Sequence, residues 1–161
     1  MNKLDHILVP LDGSKFSEKA LTAAYTLAGM SNAEITLLRV LRPVEEIIKL
    51  DEHHAIYLDQ QINFKTTRAK KYLKTIRDHA EKKSFKINMV VEMGDASETI
   101  INFAQKNFID LIVMSTHGRS GLKRFVYGSV AGKILQGAYN PVLLIRSYPD
   151  KKQGEDVIQN V

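Results

Sequence analysis

Ser115, Thr116, His117 and Gly118 are followed, after nine intervening residues, by Gly128 and Ser129. The first group comes directly after the apolar run Leu111 to Met114. The second stands directly before the helical pattern of Val130, Ala131, Ile134, Leu135 and Ala138. A strand thus feeds a glycine-containing loop that closes on a helix N-terminus. Such a loop suits a phosphate, because backbone N–H groups point outward, the helix dipole favours an anion and glycine permits close approach. Arg119, Lys123 and Arg124 add positive charge, and His117 is the nearby candidate base.

A second chemical group follows another apolar run. After Ile7 to Leu11 come Asp12, Gly13 and Ser14, a carboxylate, a turn residue and a hydroxyl. In an open parallel sheet, ligands bind outside the carboxyl ends of the strands. If the two strands are neighbours, Asp12 faces the phosphate loop and can meet a metal ion or a ribose hydroxyl. Each residue also has a plain structural reading. Asp12, Gly13 and Ser14 make a good turn and cap, Ser129 a normal N-cap, and Gly128 relief for a tight turn.

Other chemistries are disfavoured. The run from Gly128 to Lys133 is one residue short of the Walker A spacing, and Ile134 stands where Ser or Thr is needed. No G-x-G-x-x-G follows a strand, and no G-x-S-x-G elbow occurs. The adjacent pair His53 and His54 lacks helical or strand ligand spacing for a metal. Without cysteine, disulfides and thiol catalysis are excluded.

The elements that must position these groups read as strands alternating with helices. Apolar runs at Ile7 to Leu11, Ile35 to Leu41, Ile87 to Val91, Leu111 to Met114 and Val142 to Ile145 are near-continuous, as in parallel strands covered on both faces. The first helix is expected after Ser14 or Ser17, with Ala20, Leu21, Ala24, Leu27 and Ala28 inward, ending near Gly29. A long helix over about 55–82 carries Ile62, Ala69, Tyr72, Leu73, Ile76 and Ala80 on one stripe. A third begins at Asp95 with Glu98 as a capping box and buries Ile100, Ile101 and Ala104. The last runs from Ser129 to near Gly137. The pattern predicts an open, mostly parallel α/β sheet with right-handed crossovers.

The chain of 161 residues is expected to form one domain over 1–147, with a flexible C-terminal tail over 148–161. Residues 42–54 read as an elaborated connection. No apolar run reaches membrane-spanning length and no signal peptide is evident, so the expected location is cytoplasmic, with no membrane partner. The net charge of +5 gathers over residues 65–86. There Lys65, Arg68, Lys70, Lys71, Lys74, Arg77, Lys82, Lys83 and Lys86 face Asp78 and Glu81. A solvated helix face is the preferred reading over a nucleic-acid patch.

Three blocks, taken together, resemble the universal stress protein family. They are Ile7 to Ser14 with Ser17, Ala20 and Leu21; Asp110 to Gly121; and Tyr127 to Ala131 leading to Asn140 through Ile145. The likeness runs from about Lys3 to Arg146. It implies a five-stranded parallel sheet in order 3-2-1-4-5 with helices on both faces, of the adenine nucleotide alpha hydrolase-like type. One branch of the family binds ATP through G-x2-G-x9-G-[S/T], matched here at Gly118, Gly128 and Ser129. Ser115 replaces the first glycine; it is small, but serine disfavours the positive φ that glycine tolerates.

The resemblance further implies roles for individual residues. Pro10, Leu11 and Asp12 would line the adenosine and metal side, and Val40 would hold adenine with its backbone. Met114, at the end of its strand, would belong to the nucleotide-binding set, and Ser115, Thr116, His117, Gly118, Arg119, Ser120 and Gly121 would wrap the phosphates. Gly128, Ser129, Val130 and Ala131 would close the wrap, with Mg²⁺ or Mn²⁺ bridging the phosphates. A homodimer through the apolar edge strand Pro141 to Ile145 is expected, the competing arrangement being a monomer whose tail covers that edge. The functional expectation is an ATP-binding regulatory stress-response protein with at most slow hydrolysis. The alternatives are an interaction module of the same fold without nucleotide, and a nucleic-acid-associated protein using helix 65–86.

Overall fold

The computed structural model describes residues 3–43, 52–80, 86–116 and 127–146, with the side chains of the long helix from residue 57. The carboxyl-terminal tail and most of the 42–54 connection lie outside the described residues. The strands are β1 (His6–Pro10), β2 (Glu34–Leu41), β3 (Ile87–Met93), β4 (Leu111–Ser115) and β5 (Val142–Ile145). The helices are α1 (Lys15–Glu18), α2 (Ala20–Ser31), α3 (Glu52–Ala80), α4 (Ala96–Lys106) and α5 (Ser129–Gly137). All pairings are parallel, and the order is β3-β2-β1-β4-β5. The sheet order implied by the resemblance is the one observed.

Alternation along the strands assigns the two faces. Ile7, Val9 and Leu11 pack with Ile35, Leu37 and Val113 beneath α2 and Leu73 of α3. Leu8, Leu38, Ile112 and Met114 turn the other way, onto Ile100 and Ala104 of α4 and Ala131 and Ile134 of α5. Because Ile7, Leu8 and Val9 are all fully buried, β1 cannot spare either face, which is why its sequence shows no polar alternation. The long amphipathic helix and the inward stripes of α2 and α4 fall where periodicity puts them.

The boundaries differ from expectation in instructive places. The first helical stretch is two helices meeting at Lys19, with Ser14 as the N-cap accepting from Ser17 N–H. Helix α2 passes through Gly29 and stops at Asn32, which takes the left-handed conformation at φ 59° and donates its N–H to Ala28 C=O. Asparagine tolerates that conformation, so the stop signal is Asn32 and not Gly29. Strand β1 ends at Pro10, although Leu11 N–H still reaches Leu38 C=O at 2.8 Å. Helix α3 starts at Glu52, earlier than periodicity suggests. Asp95 caps α4 as expected, accepting from Ser97 and Glu98 N–H.

Leu73 is fully buried between α3 and the sheet, whereas Tyr139 is 91% exposed. Leu73→Ala is expected to cost about 2–5 kcal/mol in urea unfolding, from lost burial plus the cavity left behind. Tyr139→Ala should stay within about 0.5 kcal/mol. Equal costs at the two positions would contradict the packing described.

Candidate functional site

The site is built from two chain segments that leave adjacent strands. Strand β1 pairs with β4, Ile7 opposite Leu111 and Leu8 opposite Ile112. Their carboxyl ends therefore emerge side by side, and Asp12 and Thr116 follow within a residue or two of each strand end.

On the β1 side the chain turns sharply. Gly13 has φ 81°, a conformation that a side chain would strain. The Asp12 carboxylate closes the turn through one oxygen, Oδ1, which accepts from Ser14 N–H at 2.9 Å and from the Ser14 hydroxyl at 2.6 Å. Asp12 N–H donates to Ser17 Oγ at 3.3 Å, and the Ser17 hydroxyl donates to Ser14 C=O at 2.8 Å. Partial burial is the largest influence on the Asp12 carboxyl and pushes its pKa up. The Ser14 hydroxyl and N–H, the Ser17 hydroxyl and the positive charge of Arg39 outweigh it, leaving the group below its ordinary value of 3.8. Asp12 is thus an anion at neutral pH.

On the β4 side the chain forms a neck. Thr116 N–H donates to Ile145 C=O at 3.0 Å, and Thr116 C=O accepts from Gly128 N–H at 2.9 Å. Thr116 and Gly128 are therefore held together by a backbone hydrogen bond. Ser115 and Thr116 are buried in this neck. Ser115 ends strand β4, paired with Ile145, and is absent from the positive-φ residues Asn32, Phe108, Gly13 and Gly94. Its backbone is extended, so the φ objection to serine in place of glycine does not apply at this position.

Helix α5 begins at the far side of the neck. The N-cap position belongs to Gly128 and not to Ser129, which is the first helical residue. Gly128, having no side chain, makes no side-chain cap bond at this end. Gly132 N–H is the first to bond within the helix, to Gly128 C=O at 2.9 Å. The N–H groups of Ser129, Val130 and Ala131 precede any intrahelical partner, and they carry the positive end of the helix dipole.

The structure brings Pro10, Leu11, Asp12, Met114, Ser115, Thr116, Gly128, Ser129, Val130 and Ala131 to this one end of the sheet. Val40 joins them from β2, on the face shared with Met114 and Ala131. Leu38 C=O accepts from Leu11 N–H, so alternation turns the backbone groups of Val40 to the same side, beyond that last rung. His117, Gly118, Arg119, Ser120 and Gly121 lie outside the described residues. Helix α3 carries its basic residues outward: Lys74 and Arg77 pair with Asp78, and Arg68 lies 5.6 Å from the centre of the Phe64 ring.

A residue that motif reading passed over also belongs here. Arg39 of β2 donates from Nη1 to Leu11 C=O at 3.0 Å, and its guanidinium lies 3.4 Å from where a Cβ on Gly13 would stand. Tyr72 of α3 donates to Glu18 Oε1 at 3.2 Å in the same neighbourhood. Burial, then the charge and hydrogen bond of Glu18, push the Tyr72 phenol well above its usual range. The available signal was a charged residue inside the apolar run Ile35 to Leu41.

A profile of the Universal stress protein family matches residues 3–146. The chain belongs to that family. Universal stress protein YxiE of Bacillus subtilis (strain 168) is 33% identical in an alignment of 147 positions that covers 87% of this chain and 97% of the relative. The solved structure of the universal stress protein MJ0577 from Methanocaldococcus jannaschii has a TM-score of 0.80 at 26% identity, covering 92% of this chain and 99% of that one. A universal stress protein from Archaeoglobus fulgidus, solved in complex with dAMP, has a TM-score of 0.61 at 18% identity over 89% of this chain and 98% of that one, a likeness of fold. No helix among the described residues is long and apolar enough to cross a membrane.

The depressed Asp12 value has a consequence for acid stability. A carboxyl whose folded pKa lies below 3.8 contributes stability that is fully present above 3.8 and is lost as pH falls through the folded value. Asp12→Ala is therefore expected to be less stable than the wild type at neutral pH. The gap should narrow below pH 3.8 in urea titrations. A gap that stays constant through that range would show that the turn does not hold the carboxylate as an anion.

Proposed function

We propose that the protein binds ATP with Mg²⁺ or Mn²⁺ at the carboxyl ends of β1 and β4 and acts as a nucleotide-dependent regulatory homodimer in the cytoplasm, built on a single domain over 1–147. The observation that carries the reading is the start of α5, whose N-cap is a glycine without a side chain and which is tied through Gly128 and Thr116 to the strand beside Asp12. Three N–H groups and a helix dipole there suit a phosphate. The dAMP held by the Archaeoglobus fulgidus protein supports an adenine nucleotide as the ligand class.

In this reading the phosphates lie on Ser129, Val130 and Ala131, with the Ser129 hydroxyl as a further donor. Gly118 and its neighbours from Ser115 to Gly121 complete the wrap, as the motif spacing implies. Adenine takes the backbone groups of Val40, and Pro10, Leu11 and Asp12 line the adenosine. No set of three ligating side chains occurs among the described residues. A divalent cation would have Asp12, at the end of β1, as its protein carboxylate, with phosphate and water oxygens supplying the rest, the usual pattern for Mg²⁺. Such an ion would neutralise phosphate charge.

Asp12 with a depressed pKa is a weak base, which favours binding and switching over rapid hydrolysis. Ser115, in place of the first motif glycine, has the extended backbone of a paired strand residue, which supports the nucleotide reading over an interaction module of the same fold.

Calorimetric titration of nucleotide-stripped protein with Mg·ATP tests the site, with AMP titrated in parallel. Gly128 has φ −56°, open to any residue, so Gly128→Val probes space at the helix start and not backbone strain. Saturable binding in the wild type, weakened at least ~10-fold (~1.4 kcal/mol) in the variant, is expected. No binding by folded wild type would overturn the proposal.

Dimer formation through β5 rests on its position at the sheet edge and its apolar, half-buried sequence. Ile112 and Thr116 bond to the carbonyls of Pro141 and Ile145, so alternation turns the N–H of Leu144 outward. Light scattering should find a dimer for the wild type and a folded monomer for Leu144→Pro. A dimeric variant would place the interface elsewhere.

A further inference from the structure

We infer that Arg39 is a positioning residue for the nucleotide site, a clamp that fixes the turn from Leu11 to Ser14 against the end of β2. The inference rests on the proposed ligand site, and it adds a residue that the phosphate motif does not contain.

The geometry supports it at two points. First, the β1–β2 ladder runs out at Leu11, whose N–H still pairs with Leu38 C=O. Its C=O, the next acceptor along, receives Arg39 Nη1 at 3.0 Å. One guanidinium therefore takes over where strand pairing ends. Second, the same group lies 3.4–3.5 Å from the Cβ position of Gly13, packed against the one residue of the turn that needs a left-handed backbone.

Arg39 meets the turn through the backbone C=O of Leu11, a positioning contact, and strand parity separates its side chain from Val40. Val9, Leu11, Leu37 and Val91 belong to the α2–α3 face, and Arg39 follows Leu37 in that alternation. Val40, Met114 and Ala131 belong to the opposite face. Arg39 thus supports the turn from behind while its neighbour Val40 lies on the ligand side. Losing the clamp frees Asp12 and Leu11 relative to Val40, and the two walls of the adenosine site lose their spacing. Misplacement of positioned groups by about 1 Å is enough to lose most of the benefit of a preformed site.

The test uses the full chain with Arg39→Met, which keeps the aliphatic stem and removes the guanidinium, and Arg39→Lys, which restores a cationic donor. Mg·ATP affinity is measured by calorimetry, and amide order at Gly13 and Ser14 by ¹⁵N relaxation of the ligand-free protein. The expected result for Arg39→Met is a roughly 10-fold weaker Kd. It should also show increased mobility confined to residues 12–14, with substantial recovery of both in Arg39→Lys. Wild-type affinity in Arg39→Met overturns the inference, as does lost affinity with unchanged amide order at Gly13. If Arg39→Met does not fold, Arg39→Gln, which removes the charge and shortens the reach to Leu11 C=O, takes its place. The same weaker Kd and looser turn are then expected, and wild-type affinity or an unchanged turn overturns the inference. A wild type that fails to bind Mg·ATP sinks the ligand assignment, while the relaxation experiment still decides whether Arg39 clamps the turn.

Discussion

Asp110 locks β4 against β1, and the rest of the site depends on that lock. Its Oδ2 accepts from Asp5 N–H at 2.9 Å and His6 N–H at 2.8 Å, while its own N–H donates to His6 C=O at 3.0 Å. The two strands are distant in sequence and become neighbours by a crossover, so their relative register has no local turn to set it. Three bonds at the amino ends set it instead. The burial of Ile7, Leu8, Val9, Ile112 and Val113 enforces it, because a one-residue slip would exchange the faces of every side chain. Once that register is fixed, the carboxyl ends are level and the Asp12 turn stands beside the Thr116 neck.

The two faces of the sheet divide the work. On the α4–α5 side, Met114, Val40 and Ala131 bring together the strand ends and the helix start that form the candidate site. On the α2–α3 side, Arg39, Tyr72, Glu18 and Ser17 hold the turn after β1. Adjacent residues of β2 serve the two sides in alternation. The neck is the complementary device, since the Gly128 to Thr116 bond joins the end of β4 to the start of α5. At that helix start the N-cap is Gly128, which brings no side chain of its own to the first N–H groups.

Much of this was legible in the chain because it is local or periodic. Continuous apolar runs announced buried parallel strands, the stripe through Ala69, Leu73, Ile76 and Ala80 announced α3, and Asp95 announced the start of α4. Where local signals compete, periodicity and residue type do not choose between them. Gly29 and Asn32 both permit a helix stop, and the structure uses Asn32. Ser129 and Gly128 both permit a helix start, and the cap falls on Gly128.

By itself, then, the sequence determined the class of sheet, the identity of the strands and helices, and the glycine-and-hydroxyl pattern of the two loops. These depend on residue type and short-range spacing, which a linear chain carries intact. The family likeness supplied the strand order, which the physics of periodicity leaves open. The tertiary structure alone decided that Ser115 has extended backbone, because its φ is set by pairing with Ile145 and not by its neighbours in the chain. It alone decided that Arg39 reaches Leu11 and Gly13, residues 28 and 26 positions away that meet only when β1 and β2 pair. Contacts of that kind are made by register and face, and register and face exist only after the sheet has closed.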